Sequence, residues 1–133
     1  MDWTLETVIV PVTDVDRAKE FYSEKLGFNV DVDRRMSESF RVVQLTPPGS
    51  ACSITIGQGL GDSPPGSARV QLCVTDIEAA HAELVGRGAE PAPIVHFEDG
   101  RQVEGKGGAW ESFIFMTDPY GNNWAIQERP SPS

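Results

Sequence analysis

The spacing of apolar residues divides the first part of the chain into one strand and one helix. Residues 5–12 are mostly β-branched and alternate between two faces, which predicts a strand. Apolar residues then recur at helical intervals, which predicts a helix carrying Val15, Ala18, Tyr22 and Leu26 on one face. Asp14 stands where an N-cap belongs, and Gly27 stands where such a helix ends.

Three further strand-like runs follow this helix, at residues 28–33, 40–46 and 51–57. We expect the polar segment 34–39 to separate the first two runs. A Pro-Pro-Gly-Ser turn at 47–50 separates the last two. The first part of the chain therefore has the predicted order βαβββ.

The same order is predicted again after residues 58–67, a linker rich in glycine, proline and serine. A strand is expected at 68–75, Asp76 stands as an N-cap, and the next helix carries Ile77, Ala80 and Leu84. Strands are expected at 90–95, 112–116 and 122–128. Residues 97–109 contain four glycines and few apolar side chains, which predicts a long polar loop that is functional or mobile.

A repeated motif marks the strand-to-helix junction of each half. The sequence Val-Thr-Asp-Val at 12–15 returns as Val-Thr-Asp-Ile at 74–77, an offset of 76 − 14 = 62 between the two aspartates. We therefore predict an α+β fold in which two βαβββ modules pair into one curved mixed-sheet cleft, with a helix on each outer face. We expect a single domain over 1–133, with module 1 at about 1–57, the linker at 58–67, module 2 at about 68–129 and a tail at 130–133.

The alternation of each strand assigns its side chains to one of two sheet faces. The helix-facing set is predicted to be Val8, Val10, Ile54, Ile56, Val70, Leu72, Trp124 and Ile126. The opposite, cleft-facing set is predicted to be Thr7, Ile9, Ser53, Thr55, Arg69, Gln71, Cys73, Ala125 and Gln127.

Composition and charge narrow the classes of partner. Hydrophobic residues make up 39% of the 133 and charged residues 23%, which is ordinary for a globular protein. The net charge of −9 disfavours nucleic acid and anionic membranes as partners and permits a cationic small molecule. With no apolar targeting segment, we expect a cytoplasmic location. Cys52 and Cys73 lie in apolar, strand-like runs and are predicted to be buried free thiols.

Four segments of the chain resemble the vicinal oxygen chelate superfamily, which includes glyoxalase I, extradiol dioxygenases, and fosfomycin- and bleomycin-resistance proteins. They are VTDVDRAKEFY at 12–22, KLGF at 25–28, VTDI at 74–77 and DPYGN at 118–122. Together with the repeat, the resemblance covers nearly the whole chain. These motifs are structural, so they imply the fold without fixing an activity.

The resemblance implies where a metal would be bound in metal-dependent members. The corresponding positions carry Thr7, Ser53 or Thr55, Arg69 and Ala125 where the family shows histidine and glutamate. None of these is a usual side-chain ligand for a divalent cation, so we expect no metal and no cofactor. The pattern is closer to the bleomycin-resistance proteins, which bind a drug without metal in clefts of a homodimer. We therefore expect a homodimer.

The predicted ligand contacts combine cleft-facing side chains with aromatic residues near the last strands. They are Thr7, Ile9, Ser53, Thr55, Arg69, Gln71, Trp110, Phe113 and Gln127. The polar members have an alternative role, in which they bond one another across the sheet or face a dimer interface. The aromatic members, together with Phe115 and Tyr120, either stack on an aromatic ligand or form core and dimer seam.

Three functional hypotheses remain open at this point. The first is binding of a small organic molecule, an antibiotic or an aromatic or cationic metabolite, without a metal. The second is a lyase, isomerase or dioxygenase-type enzyme that works by acid–base chemistry or with a displaced metal site. His96 is the catalytic candidate for it, near Glu98, Asp99 and Glu111, with simple loop solvation as the alternative. The third is a dimeric protein without a small ligand.

Overall fold

The structure is a computed structural model that describes residues 1–131, and it confirms the α+β fold. The chain forms two compact units. The first comprises Met1–Ala68 together with Asp118–Asn122, and the second comprises Arg69–Thr117 together with the residues from Asn123 onward. The single-domain organisation and the shared cleft stay predictions, and the predicted tail at 130–133 ends outside the described residues.

The first unit contains a four-stranded mixed sheet. Its elements are β1 (Thr7–Ile9), α1 (Val15–Glu20), a π-helical turn (Phe21–Lys25), β2 (Asn29–Ser37), β3 (Phe40–Thr46) and β4 (Ser53–Gln58). The strand order is β1-β4-β3-β2, with β1 parallel to β4 and the other pairs antiparallel. This is the predicted βαβββ order.

The first helix begins and ends as the sequence predicts. The Asp14 carboxylate accepts a hydrogen bond from the Arg17 amide at 3.1 Å, which satisfies one of the free N–H groups of the first turn. Gly27 has a φ of +74°, the left-handed conformation that releases the chain from a helix. Of the stripe predicted for this helix, Ala18, Tyr22 and Leu26 are buried and Val15 is half-buried.

The second unit contains a five-stranded sheet. Its elements are β5 (Arg69–Val74), α2 (Ile77–Gly86), β6 (Val95–Glu98), β7 (Arg101–Glu104), β8 (Phe113–Thr117) and β9 (Asn123–Glu128). The order is β5-β9-β8-β6-β7, with β5 parallel to β9. Asp76 caps α2 by accepting from the Ala79 amide at 3.0 Å, so the repeated junction has the same structure in both halves.

The buried apolar side chains of each sheet lie on the face predicted to pack against a helix. In the first unit, Val10, Ile54 and Ile56 are buried, and α1 contacts β4. In the second unit, Trp124 and Ile126 are buried with Ile114 and Met116, and α2 contacts β8 and β9. Val8, Val70 and Leu72 are half-buried. The period of two was therefore enough to separate the two faces.

The prediction of a long polar loop at 97–109 is wrong. Val95–Glu98 and Arg101–Glu104 pair as an antiparallel hairpin, with Asp99 and Gly100 at the turn, both at positive φ. Asp-Gly is a favoured pair for a two-residue hairpin turn, so the signal was present in the sequence. The strand predicted at 90–95 begins only at Val95, because prolines interrupt the segment before it.

Four further expectations need correction. The first strand is Thr7–Ile9, shorter than 5–12, and the predicted separator 34–39 mostly belongs to β2, which extends to Ser37. The linker begins one residue later than predicted, because β4 includes Gln58. Cys73 is exposed and Cys52 half-buried, so neither is the buried thiol expected, although both are free. Cys73 lies on the open face of its sheet, where alternation alone would have placed it.

No helix within residues 1–131 combines the length and the apolar character needed to cross a lipid bilayer.

Candidate functional site

The open face of the second sheet brings together the residues that the sequence assigned to a ligand surface. Register pairs Arg69 with Asn123 and Asn123 with Thr117, so three polar side chains form one row across β5, β9 and β8. The next row is Gln71, Ala125 and Phe115. A polar row and a largely apolar row therefore lie side by side on the same face.

A groove of about 600 Å³ covers these two rows. Its opposite wall is the segment from Glu90 to Ala92, which is held beside β8 by a hydrogen bond from the Ala92 amide to the Phe115 carbonyl at 3.0 Å. The groove is large enough for a small organic molecule. Ala125 is half-buried at its floor, where a methyl group leaves the space free.

The polar row of the groove is available to a ligand. Arg69, Asn123 and Thr117 are exposed, and none of their side chains has a hydrogen-bond or ion-pair partner among the residues that the structure describes. Asn123 and Thr117 were not predicted as contacts. Their signal was present in the alternation of β8 and β9, but the sequence did not give the register that aligns them with Arg69.

Two glutamines form an amide chain next to the groove. Gln71 Nε2 donates to Gln127 Oε1 at 2.7 Å, and Gln127 Nε2 donates to the Trp110 carbonyl at 2.7 Å. The predicted alternative, in which polar side chains bond one another across the sheet, therefore holds for this pair. Gln71 Oε1 remains an acceptor that faces the groove side of the sheet. The chain also fixes the loop that carries Trp110.

Three phenylalanines pack together on the same face of the second sheet. The rings of Phe113 and Phe115 stack with their centroids 5.8 Å apart, and Phe97 meets both edge-on at 5.8 and 6.2 Å. Phe97 is 45% exposed, so this aromatic surface is open. The predicted contact Trp110 is 53% exposed and is bonded through its carbonyl to Gln127. Phe97 was missed by the sequence analysis because its strand was predicted to be a loop.

The corresponding face of the first unit carries hydroxyl groups. Thr7 and Thr55 share a hydrogen bond of 2.7 Å between their side-chain oxygens, and Thr46 and Ser53 share another of 2.7 Å. Ser53 and Thr55 are buried, and Ile9, at the edge, is 49% exposed. The four predicted contacts of this unit, Thr7, Ile9, Ser53 and Thr55, thus lie on two paired strands, with their polar atoms already partnered.

Neither sheet face suits a divalent cation. The threonine hydroxyls of the first unit are neutral and bonded to each other, while in the second unit Arg69 is a cation and Ala125 has no donor atom. Within residues 1–131, no three His, Cys, Asp or Glu side chains are grouped so that they could hold a metal ion. That search includes His96, Glu98 and Glu111, so the displaced metal site lacks a donor set.

His96 lies in β6 and has both ring nitrogens engaged. Nδ1 is 2.8 Å from the Gly105 carbonyl, and Nε2 is 3.2 Å from Glu98 Oε2. The bond to Gly105 is the main reason that the pKa of His96 is raised above its ordinary value, with Glu98 and Glu111 adding to the shift. Strand alternation places His96 on the face opposite Phe97, away from the groove. It is therefore not positioned to act on a molecule in that groove.

A second cavity, of about 680 Å³, lies in the first unit and was not predicted. Its wall includes Arg41, whose guanidinium donates to Asp33 with two nitrogens and to Asp16 with a third, at 2.7–3.0 Å. Lys19 also donates to Asp33 at 2.8 Å. These bonds hold the pKa of Asp33 well below its usual range and raise that of Arg41. The charged groups of this wall largely satisfy one another.

Known proteins with the same architecture include an antibiotic-binding one. TnmS3, an antibiotic binding protein from Streptomyces sp. CB03234, is 29% identical with a TM-score of 0.76, covering 98% of both chains. A glyoxalase/bleomycin resistance protein from the same organism is 28% identical with a TM-score of 0.73, covering 94% of this chain and 100% of that one. The uncharacterized protein YetH of Bacillus subtilis is 25% identical over 92% of this chain and 95% of its own length.

The sequence also matches a family directly. Residues 4–126 match the model of the Glyoxalase/Bleomycin resistance protein/Dioxygenase superfamily, and the match runs from before β1 into the last strand, β9. The family resemblance drawn from the sequence motifs is thereby confirmed, and the chain belongs to the Glyoxalase/Bleomycin resistance protein/Dioxygenase superfamily.

Proposed function

We propose that this protein binds a small organic molecule with a planar aromatic part on the open face of its second sheet, without a divalent metal. The observation that carries the proposal is the groove of about 600 Å³, in which an unpartnered polar row borders an apolar floor. Such a combination gives a ligand both area to bury and groups that fix its orientation.

The aromatic surface supports a planar ligand. Phe115 lines the groove, and the stacked Phe113 continues the surface beyond it. A flat ring system placed over Phe115 and the Ala125 methyl group would gain burial on a rigid strand surface at little entropic cost. Gln71 Oε1 would accept a hydrogen bond from a ligand hydroxyl. An antibiotic is one ligand of this kind, and the similarity to TnmS3, an antibiotic binding protein, supports that choice.

Calorimetric titration against polycyclic aromatic, quinone and glycopeptide antibiotics tests the proposal. Ala125→Leu fills the groove floor and is expected to weaken binding at least about tenfold. Ala82→Leu, on the exposed side of α2, adds the same atoms elsewhere and is expected to leave binding unchanged. Failure of every compound to bind at millimolar concentration would overturn the proposal.

An enzymatic role receives less support from the geometry. The metal positions offer no suitable donors, and His96, the acid–base candidate, faces away from the groove with both nitrogens bonded. A reaction catalysed in the groove would have to use Arg69 or the amides, which orient a substrate by donating hydrogen bonds. Binding is therefore the function that this face serves best.

The proposal extends to assembly and location. The N-terminal segment exposes Trp3 at 89% and Leu5 at 77%, beside the half-exposed Ile9, and a homodimer would cover this apolar surface. Light scattering tests the dimer, and a monomeric mass at micromolar concentration would contradict it. We also propose a cytoplasmic location, which cell fractionation tests.

A further inference from the structure

Arg69 places a positive charge on the groove face, and this charge indicates which class of ligand the groove binds. The inference rests on the proposed function. We infer that the ligand of the groove is a planar aromatic molecule carrying an anionic group, such as a carboxylate or an ionised phenol, that binds at the row of Arg69, Asn123 and Thr117.

Arg69 supplies the charge. It begins β5, its side chain lies on the open face, and it has no acceptor among the described residues. A guanidinium presents five N–H donors in a planar arrangement that matches a carboxylate bidentately. The backbone of Arg69 belongs to a strand that is paired with β9 along its whole length, and this pairing fixes the position of the Arg69 Cα atom on the sheet.

The neighbours of Arg69 add donors and no competing carboxylate within the row. Asn123 is its direct register partner and carries an amide N–H₂ group, and Thr117 carries a hydroxyl on the next strand. An anion at this row would accept from three side chains. A ligand cation would meet the guanidinium at the same place and be repelled.

The distance between the polar row and the apolar floor suits a fused aromatic ligand. Arg69 and Gln71 are two residues apart on one strand, so their rows are separated by about 7 Å. That spacing matches the distance from a carboxylate to the far ring of a fused bicyclic aromatic. A single flat ligand can thus place its anion on the polar row and its rings over Ala125 and Phe115.

Two acidic features of the chain oppose the binding of an anionic ligand. Glu90 lines the far wall of the groove, and the net charge is −9. At physiological ionic strength, repulsion between exposed charges more than about 8 Å apart is largely screened. A direct guanidinium–carboxylate bond is not screened in this way. Glu90 also belongs to a connecting segment and not to the sheet, and no ion pair with Arg69 is found within residues 1–131. The local donors therefore decide the preference.

Three naphthalene probes of similar size test the inference: 2-naphthoate, 2-naphthamide and 2-naphthylmethylammonium. Calorimetry at fixed ionic strength is expected to give 2-naphthoate an affinity about tenfold above the neutral amide, equal to about 1.4 kcal/mol, with the cation weakest. Arg69→Gln is expected to lower naphthoate affinity about tenfold and naphthamide affinity by less than about twofold. Arg101→Gln removes the same charge from the opposite face of β7 and is expected to change neither.

The outcomes separate the two proposals. If the amide or the cation binds as tightly as naphthoate, or if Arg69→Gln weakens all three equally, the anion preference is wrong while binding by the groove stands. If none of the three binds up to millimolar concentration and the antibiotic panel also fails, the proposed function itself is wrong. Arg69→Lys keeps the charge without the planar fork, and an intermediate naphthoate affinity is expected. Thermal unfolding of each variant checks that the exposed substitutions leave the fold intact.

Discussion

The hydroxyl of Tyr22 donates to a carboxylate oxygen of Asp118 at 2.6 Å, and both side chains are buried. The same carboxylate accepts from the backbone amides of Tyr120 and Asn122 at 2.8 and 2.9 Å and from the Asn122 side chain at 2.7 Å. Four donors thus stabilise one buried charge. This arrangement holds the turn before β9 to the π-helical turn that follows α1, all of it within the first unit.

Tyr22→Phe is expected to destabilise the protein by about 1.5–3 kcal/mol, because it removes a hydrogen bond to a buried charge while the ring remains. Urea-induced unfolding measures the change. Tyr120→Phe removes a bond of 2.8 Å to the backbone carbonyl of Asp14 and is expected to cost only about 0.5–1.5 kcal/mol. Equal losses in the two variants would show that the charge on Asp118 adds nothing.

Local patterns accounted for most of the fold. The N-caps Asp14 and Asp76 and the buried faces follow from residues that interact with near neighbours along the chain. The role of Asp118 could not be read in this way, because its partner Tyr22 is 96 residues distant and a turn aspartate normally faces water. Only part of the candidate site could be predicted, because the residues that complete it are also distant along the chain. Alternation assigned Arg69 to the open face, but only register brought Asn123 and Thr117 beside it.

Asp33→Asn is expected to lower stability at pH 7 by about 1 kcal/mol, since it breaks a partly exposed network with Arg41 and Lys19. The bonds from Arg41, and then those from Lys19, depress the pKa of Asp33 in the folded state. A depressed carboxyl pKa stabilises the fold above the ordinary value of about 4, and the contribution is lost as the pH falls below it. The difference between wild type and variant should therefore shrink on acidification and in high salt. A difference independent of both would contradict the ion-pair origin.

Gly57→Ala and Gly86→Ala should have opposite effects. A Cβ atom at Gly57 would lie 2.1 Å from the Arg41 carbonyl oxygen, where β3 and β4 pair, so the backbone must shift. We expect a loss of about 2–3 kcal/mol. At Gly86, the last residue of α2, a Cβ atom meets nothing within 4 Å, and alanine should stabilise by about 0.5–1 kcal/mol. Thermal unfolding of both variants checks the signs, and a stable Gly57→Ala protein would refute the close approach.

The stability of the second unit should fall as the pH rises through the His96 titration. The Gly105 carbonyl, and then Glu98 and Glu111, raise the pKa of His96 in the folded state. A raised histidine pKa stabilises the fold below the ordinary value of about 6.5, and that contribution is lost above the folded-state pKa. Unfolding measured between pH 5 and 8 should lose this slope in His96→Gln. Glu98→Gln should keep part of the pH dependence, because the hydrogen bond to Gly105 is the largest cause of the raised pKa of His96. A Glu98→Gln protein without any pH dependence would show that Glu98 contributes more than Gly105.

The segment carrying Trp110 should loosen when its bond to Gln127 is broken. Trp110 has a φ of +66°, a conformation that costs a non-glycine residue of order 1–3 kcal/mol, and its carbonyl accepts from Gln127 Nε2 at 2.7 Å. Gln127→Glu replaces that donor with an acceptor, while the oxygen that receives the Gln71 bond is retained. Hydrogen exchange of the amides at 108–112 should speed up about fivefold, as expected for a loss of about 1 kcal/mol, and Trp110 would then adopt a relaxed φ.

Gln102→Glu is the matched control for this change. Gln102 is exposed on the edge strand β7, and the same substitution there leaves the Trp110 segment untouched. If both variants exchange at the wild-type rate, the bond to Gln127 does not hold the segment. If only Gln127→Glu exchanges faster and also binds the aromatic probes more weakly, the amide chain both fixes Trp110 and shapes the ligand face. Weaker binding without faster exchange would instead indicate repulsion between the new carboxylate and an anionic ligand. In that case the affinity for 2-naphthamide, which is neutral, would be unchanged.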